Sequence, residues 1–270
     1  MINVIFADYH THTNFSSDSN ACMIDMIEKA YSMGLKEIAI TDHIDFDFPD
    51  PEYPFLFKYN DFRKSFDACY DIYRKKINVL CGVELGLQPH VKEQIDNFAD
   101  KGNFDFIIGS THCVDKYDLS CNNFFENKTK QEAHNAYLDE VLNSIKIFDC
   151  FNVYGHIDFI NRYGKYEDKS FKYCDNAEII DEILKTLISK GKGIEINTSG
   201  LRYGVGSPHP HIDIVKRYKE LGGEIITVGS DAHVPEDISK DFDKAYKMLE
   251  EAGFKYLTLF TDKKPEFVKI

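Results

Sequence analysis

Short apolar runs alternate with longer amphipathic stretches along almost the whole chain of 270 residues. The runs are rich in β-branched and aromatic residues, and most are followed by a polar segment, which is typical of parallel strands buried on both faces. This pattern predicts strands at about residues 3–9, 36–42, 77–84, 104–110, 151–155, 193–198 and 224–230, with a possible last strand at 255–260.

The stretches between these runs carry apolar residues at helical spacing, as Ile180, Ile183 and Leu187 show. Glycines stand just beyond several of the stretches, where helices commonly end. The pattern predicts helices at about residues 22–33, 59–76, 91–101, 130–148, 175–190, 210–221 and 237–252. Seven strand–helix units predict a (β/α) barrel with an irregular strand count, and a chain of this length normally forms one such domain, residues 1–270.

The composition limits the classes of function. The net charge is −13 and no basic run occurs, which argues against nucleic acid as the main partner. The first apolar run breaks at Asp8 without forming a signal peptide or a membrane span, so we expect a cytoplasmic protein with no membrane partner. The seven cysteines include no C-x-x-C motif, which favours reduced, mostly buried thiols over zinc-finger ligands or disulfides.

Metal-binding side chains stand where the predicted strands end. Six of the ten histidines and two carboxylates follow apolar runs, and a third carboxylate lies in the Ser-rich loop after the first run. Parallel strands of a barrel point the same way, so their carboxyl ends meet on the face where active sites form. Nine ligands exceed the need of one ion and predict a polynuclear metal site at His10, His12, Asp18, His43, Glu84, His112, His156, Asp231 and His233.

The individual motifs differ in strength. His10 and His12 form an H-x-H at a strand end, where alternation places both side chains on one side so that they can chelate one ion. Glu84 ends the run VLCGVE, and a carboxylate buried there needs a cation or stays protonated. Asp18 could instead be a turn or helix-capping residue, and His43, taken alone, could be a buried core histidine. The repetition at six strand ends favours the metal site.

The strand-end motifs resemble those of a known enzyme family. They run in the order H-x-H, a downstream Asp, TDH, GVE, S-x-H, GH-x-D and SDAH, and cover residues 10–233. This order is similar to that of the polymerase and histidinol phosphatase (PHP) metallophosphoesterases. The resemblance implies a distorted (β/α)7 TIM-like barrel with the active site at the carboxyl ends of the strands, and two to three divalent ions (Zn, Mn or Fe). One ion would be held by His10, His12, Glu84 and Asp231, a second by Glu84, His112 and His156, and the third by Asp18, His43 and His233.

Within this family, the chain resembles the stand-alone histidinol-phosphate phosphatases. A long aromatic and acidic loop after TDH could cover a small substrate. Arg162 and Arg202 follow strand ends; a surface salt bridge is the alternative for each, but guanidinium groups bind phosphate monoesters through paired hydrogen bonds. The resemblance implies a histidinol-phosphatase of histidine biosynthesis that acts on a small phosphate ester. Arg162 and Arg202 would bind the phosphate, and these arginines, Glu84 and Asp231 would be the catalytic residues.

The chemistry implied is metal-assisted hydrolysis, in which bound ions lower the pKa of water for in-line attack on phosphorus. Asp231 or a water on the third ion could protonate the leaving alkoxide, and the sequence does not choose between them. Asp45, Asp47 and Asp158 are candidates, by position alone, for contacts with the substrate amine and imidazole.

Other classes of protein share parts of this pattern. A nuclease of the same family would have the same ligands but should show a basic groove, and another phosphomonoester substrate stays open. An amidohydrolase commonly has a bridging carbamylated lysine where this chain has Glu84, and a metal-binding regulatory module would be expected to have lost ligands. His209 and His211 of the motif SPHPH lie off the strand-end pattern, which favours an exposed loop or a helix N-terminus over another metal pair. The oligomeric state is left open.

Overall fold

A computed structural model of the chain describes residues 6–167 and 171–270. Residues 3–5 of the first predicted strand lie outside this range. The strands, in chain order, are β1 (Ala7–Asp8), β2 (Glu37–Ile40), β3 (His43–Ile44), β4 (Asn78–Gly86), β5 (Phe106–Ser110), β6 (Cys113–Val114), β7 (Tyr117–Asp118), β8 (Val153–Tyr154), β9 (Gly193–Asn197), β10 (Ile226–Gly229), β11 (Tyr256–Thr261) and β12 (Lys264–Lys269).

Seven strands form the main sheet in the order β1-β2-β4-β5-β8-β9-β10, and every neighbouring pair is parallel. β3 also pairs with β4 and places His43 beside Glu84. The two edges of the sheet approach each other where Thr11 forms a parallel bridge with Ala232. The sheet is therefore a nearly closed barrel of seven parallel strands, and the predicted (β/α)7 fold class is confirmed.

The connections between the strands carry α1 (Met23–Ser32), α2 (Tyr59–Tyr73), α3 (Lys92–Lys101), α4 (Lys130–Ile147), α5 (Ala177–Ser189), α6 (Ser199–Arg202), α7 (Ile212–Glu220) and α8 (Phe242–Glu251). Except for the one-turn α6, these helices lie within the predicted stretches. α8 begins later than predicted because Ser239 and Asp241 have left-handed backbone conformations, with φ of 55° and 60°, which interrupt a regular helix.

The interior of the barrel changes from apolar to polar along the strands. Near the strand starts it is filled by Ala39, Leu80 and Phe106. Because side chains alternate between the two faces of a strand, Glu84, four residues after Leu80, points to the same side. Ser110, four residues after Phe106, donates a hydrogen bond from Oγ to Glu84 Oε1 at 2.7 Å. The polar half of the interior thus lies at the carboxyl ends of the strands, where the site is predicted.

The last predicted strand is observed, but it is not part of the barrel sheet. β11 pairs antiparallel with β12, and the hairpin covers the end of the barrel at which the strands begin. The Phe260 ring lies 5.1 Å from that of Phe106, the first residue of β5, and Thr258 Oγ1 accepts a hydrogen bond from the main-chain nitrogen of Ile226, the first residue of β10. Thr258 and Phe260 thus close the apolar end of the barrel.

Two expectations from composition can be compared with the structure. Within residues 6–167 and 171–270, no helix has the length and apolarity that crossing a membrane requires. All seven cysteines are free, as predicted. Only Cys69, Cys81 and Cys113 are buried, so the expectation of mostly buried thiols was wrong. Cys22 and Cys174 are exposed, because Cys22 caps the start of α1 and Cys174 lies in a short helical turn at the surface.

The hairpin provides a test of how the barrel is closed. Phe260→Ala should lower the free energy of unfolding by about 3–5 kcal/mol, because it leaves a cavity against Tyr9 and Phe106. Phe267→Ala on β12, where the ring is 48% exposed, should change it by less than about 0.5 kcal/mol. Urea unfolding at one fixed metal concentration measures both variants, and equal effects would contradict the proposed closure by Phe260.

Candidate metal centre

The structure brings all nine candidate ligands together at the carboxyl ends of the barrel strands. The barrel topology explains this, since the ligands lie in or just after segments that all end at the same rim. His10 and His12 follow β1, Asp18 precedes α1, His43 opens β3, Glu84 lies in β4, His112 follows β5, His156 follows β8, and Asp231 and His233 follow β10.

Glu84 lies at the centre of the cluster, and its two oxygens face different neighbours. Oε2 is 3.1 Å from His10 Nε2 and 2.9 Å from His43 Nδ1. Oε1 is 2.9 Å from His156 Nε2 and 3.3 Å from His112 Nε2. This arrangement is that of a carboxylate able to bridge two ions.

Asp231 completes the group around the H-x-H motif. Its Oδ1 lies 3.3 Å from His12 Nε2 and 3.7 Å from His10 Nε2, so two imidazoles and one carboxylate converge. Asp231 and His156 have positive φ angles of 55° and 22°, which residues other than glycine seldom adopt. Backbone strain of this kind is kept where the surrounding structure imposes it, and it clusters at functional sites.

The three residues expected to hold the third ion, Asp18, His43 and His233, lie nearer the surface. His233 Nε2 is 3.0 Å from Asp18 Oδ2, and His43 Nε2 is 3.9 Å from the same oxygen. The His12 ring stacks against those of His43 and His233 at 4.2 Å, and the three imidazoles could hold one ion. His12 therefore lies between the first and third groups.

The unpaired polar atoms of the cluster indicate what it can bind. His10 Nε2, His12 Nε2 and His233 Nε2 are buried and face carboxylate oxygens at 3.0–3.3 Å, but neither they nor Glu84 Oε2 form a hydrogen bond of good geometry. Buried polar atoms are normally satisfied, because an unpaired one costs free energy. Imidazole nitrogens and carboxylate oxygens are also the ligands that zinc, manganese and iron take in proteins. The side chains present thus fit divalent metal ions.

The electrostatics of the cluster favour a positive charge at its centre. Burial opposes ionisation of Glu84, but the imidazoles of His10, His43 and His112 hold the pKa of its carboxyl well below the usual value. Burial also opposes ionisation of Asp231, whose pKa is held well below its usual value, mainly by His10. In turn, although burial disfavours their protonation, the neighbouring carboxylates raise the pKa values of His10 and His112 well above the usual value. A divalent cation would compete with these imidazole protons for the same carboxylates.

Carboxylates behind the cluster fix the orientation of its imidazoles. Glu195 Oε1 lies 2.7 Å from His10 Nδ1, and Glu195 Oε2 accepts a hydrogen bond from the main-chain nitrogen of His156 at 3.2 Å. Such outer contacts fix the tautomer of a ligating histidine and raise its basicity. The sequence analysis missed Glu195, although its place between two isoleucines in GIEIN indicates an inward-facing residue.

The three aspartates considered for the substrate amine and imidazole lie elsewhere. Asp45 is buried and contacts His112 Nδ1 at 2.8 Å, where it orients that imidazole. Asp158 is buried against another histidine, and Asp47 is exposed beside His90. Among the described residues, none of the three lines the cavity next to the cluster, so these positions do not support direct contact with a substrate.

A cavity of about 490 Å³ opens beside the candidate ligands. This volume is in the range of small-molecule sites. The loop after TDH contributes Phe48, Tyr53 and Phe55 to its wall, and Asp50 and Asp118 add two carboxylates. The cavity therefore combines a cluster of imidazoles, an aromatic wall and negative charge.

The two predicted phosphate-binding arginines differ in position. Arg162 lines the cavity, donates a hydrogen bond from Nη2 to Ser199 Oγ at 2.6 Å, and lies between the rings of Phe159 and Tyr203. Arg202 is not among the described residues that line it. Its Nη2 donates to the main-chain carbonyls of Ser230 and Asp231, and its Nε lies 3.3 Å from a carboxylate oxygen of Asp237.

The sequence and the fold of the chain are similar to those of known proteins. A family model described as the PHP domain matches residues 8–199. The histidinol-phosphatase of Lactococcus lactis is 35% identical over 95% of this chain and 95% of its own, and a relative from Clostridium acetobutylicum named "Probable histidinol-phosphatase" is 35% identical over 92% and 94%. A solved structure of the Lactococcus lactis histidinol phosphate phosphatase with zinc, L-histidinol and phosphate has a TM-score of 0.91 and 34% identity, covering 97% of this chain and 99% of its own.

The shared position of Glu84 leads to a prediction about metal content. Glu84→Gln keeps the shape of the side chain but removes the negative charge that two groups of ligands share. The variant protein should therefore lose most of the roughly two to three ions per chain that we expect for the parent. His233→Ala should lose mainly the outermost ion. Elemental analysis of protein purified without chelator measures both, with Asp47→Asn as the control for an exposed carboxylate. A parent with one ion or none would contradict a polynuclear site.

Proposed function

Because the chain belongs to the PHP family, we propose that it is a metal-dependent histidinol-phosphate phosphatase, which hydrolyses L-histidinol phosphate to L-histidinol and phosphate in histidine biosynthesis. The observation that carries this proposal is the position of Glu84, whose two oxygens are shared between imidazole groups beside a cavity that Arg162 also lines. A cation cluster and a guanidinium around one cavity are suited to a phosphate monoester. The named activities of the Lactococcus lactis and Clostridium acetobutylicum relatives support the same substrate.

The metal component of the proposal concerns number and identity. We propose two to three zinc, manganese or iron ions, held by the nine residues of the cluster with Glu84 shared between two of them. When bound, such ions supply positive charge and lower the pKa of water at neutral pH. The zinc in the Lactococcus lactis structure supports the class of ion.

The phosphate would be oriented by side chains of the cavity wall. Arg162 can donate paired hydrogen bonds to phosphate oxygens, because the rings of Phe159 and Tyr203 hold its guanidinium in place. Arg202 has its Nη1 buried without a partner, and we propose that this group adds positive charge while Nη2 braces the loop of Asp231. Asp231 would take up the proton that the attacking water releases and deliver it to the leaving alkoxide.

The remainder of the cavity suits a small cationic leaving group. Asp50 and Asp118 would balance the charge of the substrate ammonium group, and the rings of Phe48, Tyr53 and Phe55 would exclude water. Nucleic acid fits less well, because the chain carries a net charge of −13. A small phosphate ester is therefore the proposed partner.

The substrate assignment is tested by phosphate release from a set of phosphate esters. The metal-loaded protein should hydrolyse L-histidinol phosphate with a kcat/KM at least about tenfold above that for p-nitrophenyl phosphate. Only L-histidinol phosphate has an ammonium group that can interact with the carboxylates of Asp50 and Asp118. Single-stranded DNA and RNA should remain intact. Degradation of single-stranded DNA without phosphomonoesterase activity would move the chain to the nucleases of the same family.

The arginines are tested by comparing their alanine variants. Arg162→Ala should lower kcat/KM by about tenfold to a hundredfold with normal metal content, since each lost hydrogen bond to a charged group contributes roughly 1.5–3 kcal/mol. Arg162→Lys should recover part of the activity, because it restores charge without the paired geometry. Arg202→Ala should lose metal as well as activity, because its guanidinium braces the Asp231 carbonyl. Near-full activity in both alanine variants would leave phosphate binding to the ions alone.

A further inference from the structure

A buried histidine–carboxylate pair, His209 and Asp158, lies outside the nine candidate ligands. His209 Nδ1 is 2.5 Å from Asp158 Oδ1, and the two residues are 0% and 2% exposed. The sequence pattern favoured an exposed loop or a helix N-terminus for the SPHPH motif, and this holds for His211, which caps α7, but not for His209. Burying two polar side chains costs desolvation free energy that their mutual hydrogen bond only offsets, so the presence of the pair raises the question of what it positions.

Asp158 ties together two segments that are distant in the chain. Its Oδ2 accepts hydrogen bonds from the main-chain nitrogen of His211 and from Asn161 Nδ2, both at 2.9 Å. Asn161 belongs to the turn that follows β8 and ends at Arg162. The carboxylate thus joins the turn of Arg162 to the segment of His209.

His209 in turn is attached to the end of β9. Its main-chain nitrogen and carbonyl pair with those of Asn197 at 2.8 Å and 2.7 Å. Its ring packs on Gly200, where an added Cβ would lie 3.0 Å and 3.2 Å from ring atoms Cδ2 and Nε2. The adjacent Ser199 accepts the hydrogen bond from Arg162 Nη2, and its Oγ lies 2.9 Å from Asp231 Oδ2.

These contacts form a closed loop that starts and ends at the turn after β8. It runs from Asp158 to His209, across Gly200 to Ser199, and back through Arg162. Every link is buried or partly buried, and the loop connects the ends of two neighbouring strands. The Asp158–His209 pair and the contact between Arg162 and Ser199 are thus parts of one closed loop.

We propose that Asp158 and His209 are positioning residues, which hold Arg162 and Ser199 at the separation needed to grip the phosphate group. This inference rests on the proposed phosphatase function. The pair would act through Arg162 without touching the substrate. Since a displacement of about 1 Å can cost as much as a hundredfold in rate, removal of the pair should weaken phosphate binding and turnover although the metal ligands stay intact.

The test removes the hydrogen bond between His209 and Asp158 but keeps an aromatic ring at position 209. His209→Phe retains a ring against Gly200 but cannot donate to Asp158, so the dissociation constant for inorganic phosphate, measured by calorimetry on zinc-loaded protein, should rise by about tenfold, and KM should rise with it. His209→Asn, which offers a donor near the position of Nδ1, should recover most of the affinity. His211→Ala is the matched control, because its main-chain bond to Asp158 remains, and it should differ from the parent by less than about twofold.

A double-mutant cycle separates positioning from general destabilisation. If the pair acts through Arg162, adding His209→Phe to Arg162→Ala should cause little further loss. The inference would be overturned if the losses of phosphate affinity caused by the two substitutions multiplied in the double variant. It would also be overturned if His209→Phe kept the phosphate affinity of the parent with normal zinc content. Should His209→Phe fail to fold, Asp158→Asn tests the same closed loop with an isosteric side chain, because an amide accepts hydrogen bonds at one oxygen only and cannot serve His209 together with His211 and Asn161. Because phosphate binding is measured directly, the result stands apart from the substrate screen, whose failure would overturn the proposed function instead.

Discussion

The buried carboxylate of Glu84 is the constraint on which the rest of the site depends. It is 0% exposed at the centre of the barrel rim, and burying a charged group without compensation costs several kcal/mol. Four imidazoles lie within 3.3 Å of its two oxygens, which keeps the carboxyl ionised but leaves buried nitrogen and oxygen atoms without hydrogen-bond partners. Divalent cations would satisfy both requirements, because they would neutralise the carboxylate and occupy the nitrogen lone pairs.

The barrel supports this centre by leaving room for the carboxylates behind it. An added Cβ at Gly86 would lie 1.8 Å from Asp45 Oδ1, and one at Gly229 would lie 2.3 Å from Glu195 Oε1. Asp45 and Glu195 contact the imidazoles of His112 and His10, so these glycines leave room for the carboxylates that orient two of the candidate ligands. The glycines and the outer carboxylates are thus as much part of the site as the ligands.

Much of this could be predicted because it depends on local patterns. The run VLCGVE indicates a strand that bears a carboxylate near its end, and repeated strand ends bearing histidine predict a shared rim. The features that the sequence analysis missed depend on contacts between distant segments. His209 is buried in contact with Asp158, which lies 51 residues earlier in the chain. β12 is a strand because it pairs with β11, and the residues of β12 alone do not indicate that pairing. Glu195 had a local signal in GIEIN, but its contact with His10 required the closed barrel.

The most direct test of the account is anomalous diffraction from crystals of metal-loaded protein soaked with inorganic phosphate. Two or three metal peaks should lie within coordination distance, about 2.0–2.3 Å, of the nine candidate ligands, with Glu84 bound to two of them. Phosphate should lie between these peaks and the Arg162 guanidinium. A single peak, or peaks that leave Glu84 without a metal contact, would contradict the claim that this carboxylate organises a polynuclear centre.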